Sequence, residues 1–160
     1  MAGIFKVNEL VSIAVEIEKR GEEFYLEMAQ RATDKGVGET LRFLAGEEVK
    51  HQRVFSQLLS KLEPLQVPAG SAEPEYWDYV NDLIDSHFLL NDAARHRAFS
   101  SATTDREAIR LAMGFEKESI LFFVTMKGLV AVEQAGPVET CIEEEKTHLR
   151  RLALALEMLP

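Results

Sequence analysis

The sequence predicts an all-α fold, a four-helix bundle built from two antiparallel hairpins that a long crossover joins. Apolar residues recur at a spacing near 3.6 residues in four long segments, which is the period of an amphipathic helix. The links within each pair of segments are short, whereas about 40 residues separate the two pairs. A short link favours antiparallel neighbours, and a long one lets the chain return along the bundle. An up-and-down bundle with an insertion is the alternative.

The predicted helices lie within one domain of 160 residues and cover about residues 8–34, 37–62, 105–133 and 137–158. Asn8 is a candidate N-cap of the first helix, and the glycines in residues 35–38 are typical of a stop and turn. Pro64 and Pro68 are expected to end the second helix, because proline cannot continue one.

The third and fourth helices also have recognisable starts. Thr104 and Glu107 have the spacing of a capping box, and Pro137 suits a first helical turn. The crossover, about residues 63–104, contains another helix start near Glu73. An apolar stripe follows it, which we expect to cover the bundle or to form a subunit contact: Trp77, Val80, Ile84 and Phe88.

The charge balance excludes some partners. There are 18 Lys and Arg residues against 27 Asp and Glu residues, a formal net charge of −9, which disfavours binding to nucleic acid. The apolar runs are far shorter than the roughly 20 residues of a membrane span, so no membrane partner is expected. One cysteine allows neither an internal disulfide nor a multi-thiolate metal site, and a reducing, cytoplasmic location is expected.

Two glutamates lie on the apolar stripes of predicted helices. Of the residues three, four and seven positions from Glu18, all except Glu22 are apolar or small, and around Glu116 all of them are. An ionised carboxylate on such a stripe is placed in the core, where it is costly without a compensating partner.

The second and fourth helices add a Glu-x-x-His motif each. Glu48 and His51 lie three residues apart, as do Glu145 and His148, so each pair shares one helix face. Glu18 precedes Glu48 by 30 residues and Glu116 precedes Glu145 by 29, so one hairpin pattern occurs twice.

These six residues predict a dinuclear metal centre. Two divalent ions would bring four positive charges to four carboxylates. Oxygen and nitrogen ligands suit iron or manganese, and zinc is possible. The alternative is a metal-free helical interaction module whose buried polar groups have a structural role.

The motifs resemble the rubrerythrin-like branch of the ferritin-like di-iron carboxylate proteins. The resemblance rests on residues 18–25, Glu48 to His51, Glu116-Lys117 and Glu145 to His148. It implies that Glu48 and Glu145 bridge two iron ions, with Glu18 and Glu116 as terminal ligands. It also implies that His51 and His148 each bind one ion.

The resemblance further implies an oxidoreductase that reduces hydrogen peroxide or dioxygen. Rubrerythrins commonly carry another glutamate three residues after the first ligand of the third helix, where this chain has Ser119. They also usually carry a rubredoxin module, which a chain with one cysteine cannot form, so a separate electron donor is expected. A homodimer is expected. The alternatives are a ferroxidase that stores or transfers ferrous iron in a larger assembly, and a di-manganese enzyme.

Other residues near the motifs carry weaker predictions. Tyr25 is a candidate to hydrogen-bond a ligating carboxylate or to serve in electron transfer, and Cys141 is expected to be a small buried residue. His87 and His96 are expected to have surface or packing roles. The small residues Gly21 and Ser119 would leave room for an exogenous ligand.

Overall fold

Six α-helices form the part of the chain that the computed structural model describes, residues 7–62 and 74–160. In chain order they are α1 (Val7–Arg31), α2 (Lys35–Leu59), α3 (Pro74–Ser86), α4 (Asp92–Ser101), α5 (Asp105–Lys127) and α6 (Ala135–Met158). A short 3₁₀ helix, Val132–Gln134, precedes α6, and no strand occurs within these ranges. Helices α1, α2, α5 and α6 form the bundle, so the predicted all-α fold class is confirmed.

Contacts at the helix ends give the direction of each helix. The Asp105 carboxylate at the start of α5 accepts hydrogen bonds from the backbone amides of Thr33 and Asp34, at 3.0 and 2.6 Å. The end of α1 and the start of α2 therefore meet the start of α5, so α5 runs antiparallel to α1 and parallel to α2. The Arg106 side chain donates to the carbonyl of Leu159 at 3.0 Å, which brings the end of α6 to the same end of the bundle. Two hairpins with a return crossover produce this arrangement, whereas an up-and-down bundle does not.

Several helix boundaries differ from the prediction. Asn8 lies inside α1 and is not its cap, and residues 35–38 form the first turn of α2. Asp34 explains the early start of α2, because its side chain accepts a hydrogen bond from the Val37 amide at 2.9 Å and so caps the helix.

Other observed helix boundaries also differ from the predicted ones. α1 ends at Arg31 and α2 at Leu59, each three residues before the predicted boundary. α5 ends at Lys127, where Gly128 forms its C-cap, and α6 begins at Ala135 with Pro137 in its first turn. The predicted capping box of Thr104 and Glu107 is present. Pro64, Pro68 and Glu73 lie outside the described residues.

The crossover contains two helices where the sequence predicts one. Trp77 and Val80 of α3 are buried, and Ile84 and Phe88 pack against the core, so the predicted stripe covers the bundle. α4 has no buried residue, and arginines of α1 hold this region against the bundle. Arg20 donates to the carbonyl of Leu89 at 2.8 Å, and Arg31 donates to that of Phe99 at 2.7 Å.

The helices enclose one hydrophobic core whose largest buried side chains are aromatic. Its fully buried rings belong to Phe24, Tyr25, Phe55, Phe115, Phe122 and Phe123. Among the described residues, no helix combines the length and the apolar character that a membrane crossing requires.

Candidate metal centre

The six predicted ligand residues all point into the middle of the bundle. Glu18 lies on α1, Glu116 on α5, and the two Glu-x-x-His pairs on α2 and α6. The four carboxylates have no solvent exposure, and the imidazoles of His51 and His148 are 1% and 3% exposed. Their positions follow from helical periodicity, since each lies on the stripe that its helix buries.

The donor atoms fall into two groups, and two residues belong to both groups. One consists of Glu18, Glu48, His51 and Glu145, and the other of Glu48, Glu116, Glu145 and His148. Within each group, one donor atom per residue lies within 4.8 Å of all the others. The shared residues, Glu48 and Glu145, come from opposite hairpins and face each other across the bundle axis.

Several carboxylate oxygens at this centre lack partners although they are buried. Both oxygens of Glu48, one of Glu18 and one of Glu116 accept no hydrogen bond. Burial, followed by repulsion from neighbouring carboxylates, raises the pKa of Glu18 and raises the pKa of Glu48 and Glu116 much further. Unpaired buried oxygens are rare in folded proteins, which indicates that this cluster is built for a cationic ligand.

Glu145 and His51 form the best-compensated pair in the cluster. Burial opposes the charge on Glu145, but hydrogen bonds from His148 and His51 outweigh burial and lower its pKa. Burial likewise opposes the charge on His51, yet the carboxylates of Glu145 and Glu18, 2.8 and 3.2 Å from its Nδ1, raise the pKa of the imidazole to about 12. One such imidazolium cannot balance four carboxylates.

A glutamate from the opposite hairpin approaches the outer nitrogen of each imidazole. Glu144 lies 2.8 Å from His51 Nε2, and Glu47 lies 4.0 Å from His148 Nε2. A carboxylate on the outer nitrogen of a ligating histidine fixes its tautomer and ring orientation. The sequence reasoning missed this role, although Glu-Glu-x-x-His occurs in both halves and could have indicated it.

Tyr25 is fully buried, and its hydroxyl donates a hydrogen bond to Glu116 Oε1. Burial and then the charge of Glu116 raise the pKa of the phenol well above its usual value, so the hydroxyl keeps its proton. The hydrogen bond joins α1 to the terminal carboxylate of the other hairpin and fixes one of its two oxygens.

The space beside Gly21 is filled, contrary to the expectation that it would admit an exogenous ligand. A Cβ atom at Gly21 would lie 2.6 Å from Cζ of Phe115 and 3.4 Å from the carboxyl carbon of Glu48. Glycine is needed because the phenyl ring packs directly against the backbone of α1 beside the bridging glutamate.

Ser119, the corresponding position on α5, is covered by the crossover. His87 is 1% exposed, and its Nε2 lies 3.4 Å from the Ser119 hydroxyl. Burial lowers the pKa of His87 to about 4, so its imidazole is neutral at pH 7. The packing role predicted for His87 matches this location, whereas His96 is exposed on α4.

Cys141 is 1% exposed, as expected for a small buried residue, but polar donors surround its sulfur. It forms a third donor group with His51 and Glu144 on the outer side of the imidazole. Glu22, one turn after Glu18 on α1, accepts a hydrogen bond from Gln52 at 2.9 Å.

The six inward residues fit two divalent cations. Each donor group offers three carboxylates and one imidazole, and the unpartnered oxygens lie where ligands would be needed. Oxygen-rich sites with one imidazole per ion suit iron and manganese.

Comparisons with known proteins identify the same kind of molecule. A search of curated proteins finds no match to this chain. Among solved structures, a protein from Thermotoga maritima described as a candidate ferritin-like diiron-carboxylate protein matches with a TM-score of 0.67 and 25% sequence identity, over 96% of both chains. The family model described as Rubrerythrin matches residues 9–156. The chain belongs to the rubrerythrin family.

Proposed function

We propose that the protein is a di-iron carboxylate oxidoreductase that reduces hydrogen peroxide or dioxygen with electrons from a separate donor. The observation that supports this proposal is the sharing of Glu48 and Glu145 between two donor groups. In this assignment Glu18 and His51 complete one iron site, and Glu116 and His148 complete the other.

The charge of the centre favours two divalent ions. Four carboxylates and two neutral imidazoles carry −4, which two ferrous ions would neutralise. When bound, two such ions supply one electron each, which is what the reduction of an O–O single bond requires. Reduction of peroxide consumes two electrons and two protons and releases two molecules of water.

The surrounding residues hold the ligands in place. The Tyr25 hydroxyl fixes one oxygen of Glu116 and leaves the other oxygen, which accepts no hydrogen bond, directed to the centre. Glu144 bonds His51 Nε2 and so directs Nδ1 inward. Preorganised ligands of this kind keep the centre in one geometry while its charge changes.

The aromatic core separates the centre from bulk water. Phe115 packs beside Glu48, and Phe24 and Tyr25 pack against Phe115 with ring centroids 6.2 and 5.7 Å away. Within an apolar shell, electrostatic interactions are stronger than in water, and side reactions of a reduced centre with solvent species are suppressed.

The single cysteine of the chain excludes a cysteine-ligated electron-transfer module within it, so we propose a separate protein as donor. We also propose a homodimer. Leu121 and Val124 on the outer face of α5 are 47% and 46% exposed and offer apolar surface for a second copy. Light scattering that gives the mass of one chain would refute the dimer.

The test of the function is a peroxide reaction with a matched control. Anaerobic ferrous protein is mixed with hydrogen peroxide, and iron oxidation is followed by absorbance in wild type, Glu48→Gln and Glu39→Gln. Glu39 lies on α2 with a side chain 62% exposed, so Glu39→Gln should behave as wild type. We expect Glu48→Gln to oxidise its iron at least about a hundredfold more slowly. Equal rates in all three proteins would refute the proposed function.

The same samples test iron storage, the alternative that uses the same ligands. Excess ferrous iron and oxygen are added, and scattering measures particle size. An oxidoreductase keeps its size and about two iron ions per chain. Growth of a mineral core would instead assign the protein to iron storage.

A further inference from the structure

A cleft of about 570 Å³ lies between the end of α2 and the start of α6, and one of its lining residues, Glu144, contacts His51 Nε2. Its lining includes Val54 and Gln57 of α2, and Cys141 and Glu144 of α6. The exposed fraction falls along this path, from 49% for the Glu144 side chain to 1% for Cys141 and for His51.

Three different donor atoms converge at the inner end of the cleft. The Cys141 sulfur, one ring nitrogen of His51 and a Glu144 oxygen all lie within 4.8 Å of one another, and Glu144 lies 2.8 Å from His51 Nε2. Sulfur, imidazole nitrogen and carboxylate oxygen together suit borderline divalent ions such as ferrous iron, cobalt and zinc.

His51 separates these donors from the buried carboxylates. Its Nδ1 faces Glu18 and Glu145 inside the bundle, while its Nε2 faces the cleft. We propose that Glu144, Cys141 and His51 Nε2 form an entry site that binds a divalent cation before the cation reaches the buried centre. This inference rests on the proposed function in one respect only, namely that the buried centre is where the ion finally binds.

His51 cannot serve the entry site and the buried centre at the same time. A neutral imidazole carries one lone pair, so His51 ligates a cation through Nε2 or through Nδ1, but not through both. An ion at the cleft therefore uses His51 first. When the ion passes from Nε2 to Nδ1, Nδ1 releases its proton to solvent and Nε2 takes one up from solvent; the Nε2–H then donates a hydrogen bond to Glu144, which closes the entry site.

Cys141 is suited to a transient role. Its sulfur is buried, and it becomes a strong donor only when a cation is present, since the thiolate and not the thiol ligates a metal. A bound divalent cation displaces the thiol proton to solvent, and the thiol regains a proton when the ion leaves.

Among the residues that the structure describes, the opposite half of the bundle has no matching donor group. Four residues before Glu48 stands Leu44, where Cys141 stands four residues before Glu145. Glu47 lies 4.0 Å from His148 Nε2, against 2.8 Å between Glu144 and His51. The entry site thus belongs to one side of the pseudo-symmetric bundle.

Cobalt(II) provides a direct test, because the chain has one cysteine and any thiolate-to-cobalt charge-transfer absorption must come from Cys141. Metal-free protein is mixed with one equivalent of cobalt(II) in a stopped-flow spectrometer. We expect this absorption to rise and then decay as cobalt moves to the buried ligands. In Glu48→Gln, which weakens the buried centre, it should persist at equilibrium.

Three variants assign the signal to the cleft. Cys141→Ser should abolish the absorption and slow the filling of the buried centre about tenfold. Glu144→Gln should weaken the absorption, whereas Glu143→Gln, its neighbour with a side chain 57% exposed, should not. Thermal melts followed by circular dichroism check that each variant is folded.

The outcomes separate the two proposals. If cobalt fills the buried centre and no thiolate absorption arises in wild type or in Glu48→Gln, the entry site is refuted and the dinuclear centre stands. If the absorption arises but no cobalt reaches the buried ligands, the entry site stands and the proposed function loses its metal centre.

Discussion

The two hairpins of the bundle present the same ligands in different surroundings. The α1–α2 hairpin contributes Glu18, Glu48 and His51, and the α5–α6 hairpin contributes Glu116, Glu145 and His148. The residue seven positions after the first glutamate is Tyr25 in one hairpin and Phe123 in the other. Tyr25 donates to Glu116, whereas Phe123 packs against Phe55 with ring centroids 4.8 Å apart.

This difference shows that the repeated helical spacing determines the ligands of each hairpin but not the residues that surround those ligands. Helical spacing brings the same three ligands inward from each hairpin, so the ligand sets match. The neighbours come from the other hairpin and the crossover, so the two sides of the centre differ. One oxygen of Glu116 accepts a hydrogen bond from the Tyr25 hydroxyl, whereas the partnered oxygen of Glu18 lies 3.2 Å from His51 Nδ1, and only His51 faces a thiol.

The largest expected effect follows from the glutamates that both sides share. Wild-type protein should bind about two metal ions per chain. Glu145→Gln removes a ligand from both donor groups and should leave almost no bound metal, whereas Glu116→Gln affects one group and should leave about one ion. Elemental analysis after gel filtration measures the difference. Equal metal content in the two variants would contradict the bridging assignment.

A smaller effect should separate the two sides. Tyr25→Phe removes the hydrogen bond to Glu116 and leaves the ring, so we expect the affinity for the ion on the Glu116 side to fall about tenfold. Calorimetric titration with a competing chelator resolves the two binding steps, and the affinity of only one step should change. Tyr79→Phe is the control, because Tyr79 is 41% exposed on α3. A change in both steps would show that the hydroxyl does not distinguish the sides.

The pH dependence of stability tests the cluster as a whole in metal-free protein. The pKa values of His51 and Cys141 are each raised to about 12 in the folded state, so the folded chain binds more protons than the unfolded chain above pH 7. The free energy of unfolding should therefore fall as the pH rises from 7 to 9. Each proton that only the folded chain retains contributes a slope of about 1.4 kcal/mol per pH unit.

Urea unfolding at several pH values gives this slope. Saturation with metal should remove most of it, because the bound ions hold the ligands deprotonated in the folded state. A metal-free protein whose stability rises between pH 7 and 9 would show that the cluster is neutralised in another way.

The smallest effect concerns the junction of the two hairpins. Asp105→Ala removes the acceptor for the amides of Thr33 and Asp34 and for the Thr33 hydroxyl, and should cost about 1 kcal/mol of unfolding free energy. Asp78→Ala, at an exposed position of α3, should change it by less than about 0.5 kcal/mol. Urea unfolding compares the two variants. An equal loss in both would show that Asp105 does not tie the hairpins.

Much of this centre could be predicted from local sequence because burial and charge conflict there. Glu18 lies on an apolar stripe, and the same conflict recurs in the second half, so periodicity indicated all six inward residues. The length of the crossover favoured a return along the bundle but left the up-and-down alternative open, and the contacts of Asp105 and Arg106 distinguish the two. α4 was not predicted, because a helix without buried residues lacks the apolar period that reveals one.

What the sequence could not predict depends on packing between helices. The void expected at Gly21 is filled by Phe115, a residue 94 positions further along the chain. The approach of Glu144 to His51 depends on how α2 and α6 face each other, which no local pattern specifies. The start of α2 was misplaced because Asp34, not the glycines after it, determines the backbone there.

Each donor group draws residues from both hairpins, and this has a thermodynamic consequence. The first ion to bind must overcome the mutual repulsion of the buried carboxylates, and it bears the cost of fixing the shared glutamates. The second ion finds those glutamates already positioned and binds more tightly. Loading should therefore show positive cooperativity, with the second ion bound more tightly than two independent sites would bind it, and this coupling depends on the shared glutamates.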